Sequence, residues 1–225
     1  MRQMGMKAQW VKPYVQTTTD PDFNQKLKNI LEEEFNPDHP DAVWCSDITY
    51  IWTREGFVYL TSIMDLYSRK IISWVLSDAL KAGNVVECIE KAKKLRKIDK
   101  PLIFHCDRDC QYVSEAFRNA TAGIIHSYSK KAYPWDNACI ESFHALLKRE
   151  WINRFKICND THAYQLIFEY IETFYNTVRI HSHCGYWSPD QYEKQYLQDI
   201  EYIKDNKLTL VAEGGKWLHL ICIFS

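Results

Sequence analysis

The chain has 225 residues, 46% hydrophobic and 14% aromatic, enough to bury a sizeable core, and its seven Gly and seven Pro are too few for a long flexible or low-complexity tract. The N-terminus, MRQMGMKAQW, lacks the apolar core of a signal peptide, and no run approaches the roughly eighteen apolar residues of a membrane span, so the expectation is a soluble cytoplasmic protein with no membrane partner. The net charge of −1 argues against a uniformly basic nucleic-acid binder, but residues 91–156 carry fourteen Lys and Arg against seven Asp and Glu, a local +7 that leaves −8 elsewhere.

Residues 1–40 mix basic and acidic patches around four prolines and read as a lead-in arm with one short helix from Asp22 to Phe35. From Val43 the pattern changes. Runs 43–52, 57–64 and 70–76 are rich in β-branched and aromatic residues, and connections this short cannot make parallel crossovers, so they predict an antiparallel meander with Asp47 in mid-strand. A helix is expected from Asn84 to about Lys97, with Val85, Cys88, Ile89, Ala92 and Leu95 facing inward. Strands at 102–106 and 124–128, with a short helix around Ser114–Ala120 between them, are expected to add parallel to the first strand. The polar, basic loop Ser129–Trp135 leads into a helix on which Ile140, Phe143, Leu147 and Trp151 form an apolar stripe. Glu141, His144, Ala145 and Lys148 lie on an adjacent stripe, so Glu141 is not a core residue, and Asp136 and Asn137 are good capping types at the helix start. Further helices are predicted over Thr161–Thr177 and from Pro189 to about Tyr202. The expected class is α/β, a mixed five-stranded sheet, three strands antiparallel and two parallel, flanked by helices.

Asp47 in a strand, Asp107 where a strand emerges and Glu141 at a helix start are the carboxylates that a two-metal phosphoryl-transfer site needs, because hard oxygen ligands suit Mg²⁺, with Mn²⁺ as substitute. Taken one at a time, each is also explained by a surface or capping role in a chain with 29 acids. Asp65 reads as a turn-shaping residue and Asp109 as a solvated loop acid. The eight cysteines include no CxxC and read as thiols packed like small apolar residues. The groups His181, His183 and Cys184, or His105, Cys106 and Cys110, lack the paired spacing of a zinc site. Trp135 reads either as a surface for stacking an unpaired base or as a cover for the helix start.

The stretches WCSDITYI, HCDRDCQYVS and WDNACIESFHALLKRE, followed by YNTVRIHSHCGYWSP, resemble in order the signatures of the D-D-E transposases of bacterial insertion sequences with a retroviral-integrase-like core, OrfB type. The resemblance runs from about Lys7 to about Ala212. It implies a ribonuclease-H-like catalytic core in which Asp47, Asp107 and Glu141 are the catalytic and metal-binding triad. Lys148 matches a basic residue placed against DNA near the cut, and Lys130, Lys131, Trp135, Arg149 and His181 join it as expected DNA contacts, with packing of the C-terminal helices as the other reading of His181. The expected organisation is an arm over 1–40 as the remnant of an upstream DNA-binding region, a core over 41–158, a helical extension over 159–212 and an atypical tail over 213–225. The expected partners are DNA, both element ends and target, further copies of the chain, and the upstream-frame protein of the same element, in the bacterial nucleoid. Two departures stand out: 33 residues separate Asp107 from Glu141, two short of the usual spacing, and Asp109 stands where Gly is usual. Two competing readings are a truncated, non-catalytic remnant that folds and binds DNA or intact transposase, and a ribonuclease-H-like hydrolase without transposition.

Overall fold

The computed structural model describes residues 27–130, 133–206, 209–210 and 220–221. Strands β1 (Val43–Thr53), β2 (Gly56–Asp65) and β3 (Ile71–Ser77) form the meander. Helix α1 (Ala82–Leu95), strand β4 (Ile103–Cys106), helix α2 (Glu115–Ala120) and strand β5 (Ile125–Tyr128) follow. A 3-10 turn at Pro134–Asn137 leads into α3 (Ala138–Glu150). Beyond it lie α4 (Asp160–Phe168), which continues as a π-helical stretch over Glu169–Tyr175, then α5 (Pro189–Asp205) and the short β6 (Thr209–Leu210) and β7 (Leu220–Ile221). No helix among the described residues is long and apolar enough to cross a membrane.

The main sheet runs β3-β2-β1-β4-β5, with β1, β2 and β3 antiparallel and β4 and β5 parallel to β1, as the connection lengths require. The β1–β2 hairpin turns through Arg54-Glu55, and Gly56 enters β2 at φ +132°, a conformation that a side chain would strain. Alternation along the strands builds a core on each face. Val43, Cys45 and Ile51 of β1 pack with Ile140, Phe143 and Leu147 of α3 and with Ala163, Leu166 and Ile167 of α4. Trp44 packs on the other face with Val85, Cys88, Ile89 and Ala92 of α1 and Phe117 of α2. The helical segment after residue 158 therefore shares its core with the sheet.

Three local expectations are corrected. Of the helix expected over Asp22–Phe35, the described part from Leu27 is extended and then turns through Glu32 and Glu33 at positive φ; Tyr128 and Ser127 bind it by hydrogen bonds, which makes tertiary contacts decide its shape. Leu95, the last residue of α1, is exposed rather than inward-facing. Neither Asp136 nor Asn137 caps α3: a 3-10 turn occupies the cap region, and Asp136, buried, accepts the Lys130 backbone N–H at 2.6 Å instead.

Candidate active site and nucleic-acid surface

The parallel register pairs Ser46 of β1 with Cys106, the last residue of β4, so Asp47, in the middle of β1, and Asp107, just past the end of β4, come next in step on adjacent strands. Asp47 lies on the face of β1 that meets α3, and its cross-strand partner is Ser62. His144, one turn after Glu141 on α3, is buried over this pair: its Nε2 is 2.7 Å from Ser62 Oγ and its Nδ1 is 3.4 Å from Asp47 Oδ2. A ring that accepts from the Ser62 hydroxyl through Nε2 carries its proton on Nδ1, the nitrogen nearer Asp47, so the imidazole packs beside the carboxylate. Asp47 Oδ1 also accepts from the Ile48 N–H at 2.8 Å.

The electrostatics join the three acids. Burial, the Asp109 carboxylate and then Asp47 push the Asp107 carboxyl up to about 8, although the Asp109 N–H donates to it at 3.0 Å. Burial and Asp47 raise Glu141. Asp109, an exposed loop acid as expected, is itself raised by burial and by Asp47. The carboxyls thus sense one another, yet among the described residues no three His, Cys, Asp or Glu side chains are gathered closely enough to grip one ion as they stand. That same absence covers the two His and Cys groups weighed for zinc.

Lys148 is half-buried; burial lowers its pKa while Asp47 opposes that, and its Nζ sits 4.6 Å from the Tyr50 ring centroid. Arg149 is exposed beside it. On the loop before α3, Lys130 Nζ lies 5.3 Å from the Tyr133 ring, Lys131 falls outside the described residues, and Trp135 is 68% exposed. His181 lies elsewhere. It packs edge-on against Tyr175 at 4.8 Å between centroids, and burial, Arg179, His183 and Arg69 lower its pKa to about 4, so it is neutral at physiological pH.

His144 is the site residue that the sequence reading missed as functional. Its position three after Glu141, on the same helical stripe, was the available signal. The trailing motif has a structural role: Arg179 makes a two-pronged pair with Glu150 at 2.8 and 2.9 Å, and Asn176 exchanges two hydrogen bonds with the Ile71 backbone on the edge strand β3.

Two family models described as "Integrase core domain" match residues 37–134 and 122–189. The transposase for insertion sequence element IS904 of Lactococcus lactis subsp. lactis is 40% identical over 168 residues, covering 74% of this chain and 66% of the relative. The transposase InsF for insertion sequence IS3A of Escherichia coli (strain K12) is 33% identical over 199 residues, 88% of this chain and 69% of the relative. The chain thus spans about two thirds of these relatives' length. Among solved structures, a simian T-cell lymphotropic virus intasome in complex with PP2A regulatory subunit B56 gamma superposes with a TM-score of 0.59 at 17% identity, over 70% of this chain and 56% of that one. The HTLV-2 integrase catalytic core domain in complex with magnesium, in its trimeric form, superposes with a TM-score of 0.54 at 15% identity, over 70% and 99%. These likenesses identify the sheet and its helices as the ribonuclease-H-like fold of retroviral integrase cores. The chain belongs to the family of bacterial insertion-sequence transposases with an integrase-like core.

Proposed function

We propose that this chain cleaves DNA at the ends of an insertion element and joins the freed 3′-OH to another strand. The observation that carries the proposal is the set of three carboxylates, Asp47, Asp107 and Glu141, which come from three elements and in which the Asp47 charge acts on both of the others. Like charges drawn together and partly withdrawn from water destabilise the fold unless something positive neutralises them. The donor set is all hard oxygen and fits divalent cations, Mg²⁺ first and Mn²⁺ in its place. When bound, such ions supply activation of the attacking oxygen and stabilisation of the leaving oxygen at phosphorus.

The chain's own residues do the rest. Asp47, in β1 beside His144 and bound by the Ile48 N–H, and Asp107, just past β4 and bound by the Asp109 N–H, present their carboxylates from neighbouring strands. Glu141 is exposed at the first turn of α3, where its side chain has room to turn toward Asp47. Lys148, with Lys130, Lys131 and Arg149, supplies positive charge for the phosphate backbone, and Trp135 offers an exposed ring beside the cleaved end. Both steps are in-line displacements at phosphorus, so one site serves water in the first and the 3′-OH in the second.

The partners follow from that chemistry: element ends and target DNA, a second copy of the chain to hold the second end, and the upstream-frame protein of the element as the source of end recognition, in the cytoplasm on the nucleoid. The arm before residue 41, the core to 158, the helical segment to 212 and the tail are proposed as working divisions. Phosphate contacts position DNA without specifying bases, so the chain alone is expected to discriminate terminal-repeat DNA from scrambled duplex by less than about tenfold. The decisive assay is nicking of element-end DNA with and without Mg²⁺. Wild-type chain is expected to nick and to give strand-transfer products only with metal, and Asp47→Asn to fall to background. Metal-independent nicking, or an active Asp47→Asn, would reject the assignment.

A further inference from the structure

β4 pairs with β1 only over Val43–Ser46, whereas β1 runs on to Thr53 alongside β2. On the face shared with α1 and α2, Trp44 and Ser46 are covered and Ile48 is partly covered, but the next two residues of that face outrun the helices. Tyr50 is 60% exposed and Trp52 63%, and Phe57, directly across from Trp52, is 48% exposed. Their rings touch: Tyr50 meets Phe57 edge-on at 5.4 Å, and Trp52 meets Phe57 at 4.8 Å. The hairpin end is held in place, since the Arg54 N–H donates to Ile157 O at 3.0 Å. Three contiguous exposed aromatics on a fixed strand pair serve no purpose in the core and mark a contact surface.

Charge identifies the occupant. Lys148 belongs to α3, on the opposite face of the sheet, so its side chain reaches Tyr50 around the edge of β1 that β4 leaves unpaired. It thereby stands between the aromatic trio and Asp47, and both act on it: the Tyr50 ring at 4.6 Å and the Asp47 charge. A ligand spanning the acidic site, this lysine and the trio must carry negative charge along its length and flat apolar rings at its side. Unpaired nucleotides have both, whereas an apolar protein surface would bring Lys148 no anion beyond Asp47.

We infer that Tyr50, Trp52 and Phe57 form a stacking platform for unpaired bases of the DNA strand whose phosphate enters the Asp47 site. The platform rests on the proposed function for its location, but it is tested by binding alone. The chain, without metal and at fixed salt, is titrated with a fluorescent mixed-sequence duplex that is either blunt or carries a short unpaired end. Wild type is expected to prefer the unpaired end. Trp52→Ala should weaken that binding about five- to a hundredfold, the loss of one base–aromatic stack, while blunt-duplex affinity and the salt slope stay unchanged. Trp52→Phe should keep most of the preference, and both substitutions replace an exposed side chain, so thermal melts are expected to match wild type.

Equal affinity for the two probes in wild type, no binding to either, or an equal loss on both in Trp52→Ala would overturn the platform. So would a drop in self-association with unchanged DNA binding in Trp52→Ala, which would assign the patch to a protein interface. Asp47→Asn, run in parallel, separates the two readings: it should keep the preference while losing nicking, and a variant that still nicks rejects the catalytic assignment and leaves the platform result standing.

Discussion

Two clusters of acids flank the same sheet and are handled in opposite ways. Behind the β2–β3 turn, Asp41, Asp65, Glu193 and Asp190 meet Arg96 and Lys70: Arg96 grips Glu193 at 2.8 and 3.0 Å and stands 3.6 Å from Asp41, while Lys70 is 2.6 Å from Asp190. Burial pulls the Arg96 pKa down, but Glu193, Asp41 and Asp65 outweigh it and raise the net value. Asp65, as expected, shapes the turn, accepting the Tyr67 and Asp41 N–H groups at 2.8 and 2.7 Å. Around Asp47, the acids Asp107, Asp109 and Glu141 have Lys148 near Asp47 and no ion pair to a Lys or Arg within reach among the described residues. The chain pairs Asp41, Asp190 and Glu193 with its own cations, although Asp65 stays raised by burial and by Glu193, and gives the second cluster no such pair among the described residues. Stability is built in at the first cluster and withheld at the second, where an external cation can supply it.

The largest expected effect comes from breaking the first cluster. Arg96→Ala strands Glu193 and Asp65 without their guanidinium, and removing one partner of a buried pair costs about 3–5 kcal/mol, read by denaturant unfolding. A loss under about 1 kcal/mol would show that the pair is screened like a surface one and would erase the contrast. At the second cluster, His144→Ala removes the ring packed beside Asp47; nicking is expected to fall about 10- to 100-fold and to need more Mg²⁺ for half-maximal rate, with His144→Asn recovering part of it. A fall in rate with unchanged Mg²⁺ demand would place His144 in packing alone.

The pH dependence sharpens the comparison further. Asp107 is raised to about 8 and Asp65 to about 7, both first by burial, so each is more easily protonated when folded. Each therefore stabilises the fold fully below about pH 4, and that contribution is lost as pH rises through about 7 for Asp65 and about 8 for Asp107. Metal-free melting temperature is expected to fall from pH 5 to pH 8, by about 2–4 °C per kcal/mol. Mg²⁺ should restore only the Asp107 share, and Asp107→Asn should remove the same share without metal. Full restoration by Mg²⁺ in Asp107→Asn would locate the metal elsewhere. The smallest effect is at Lys148: Lys148→Ala should weaken binding about equally for all DNA sequences and lower the salt slope by about one unit, and an unchanged slope would leave it a lysine held only by Tyr50 and Asp47.

The sequence by itself determined the five strands, their order of appearance and the α3 stripe, and through its motifs it pointed to the three carboxylates. These are written in local alternation and helical spacing, which each segment obeys whatever surrounds it. Only the tertiary structure decided that His144 turns from the Glu141 stripe into a buried place between Ser62 and Asp47, because that depends on which strand α3 crosses. It also decided that Asn176 caps a strand 105 residues away and that Glu193 binds Ser68 across 125. The sequence reading gave Thr161–Thr177 as one helix, and no local sign marked its passage into π-helical form at Glu169. The same holds for the aromatic hairpin: Tyr50, Trp52 and Phe57 read as ordinary strand residues, and their exposure follows from β4 and the helices ending short of them. Burial on one face of a strand is a property of what lies over it, and that partner is set by topology, which leaves no mark within the strand.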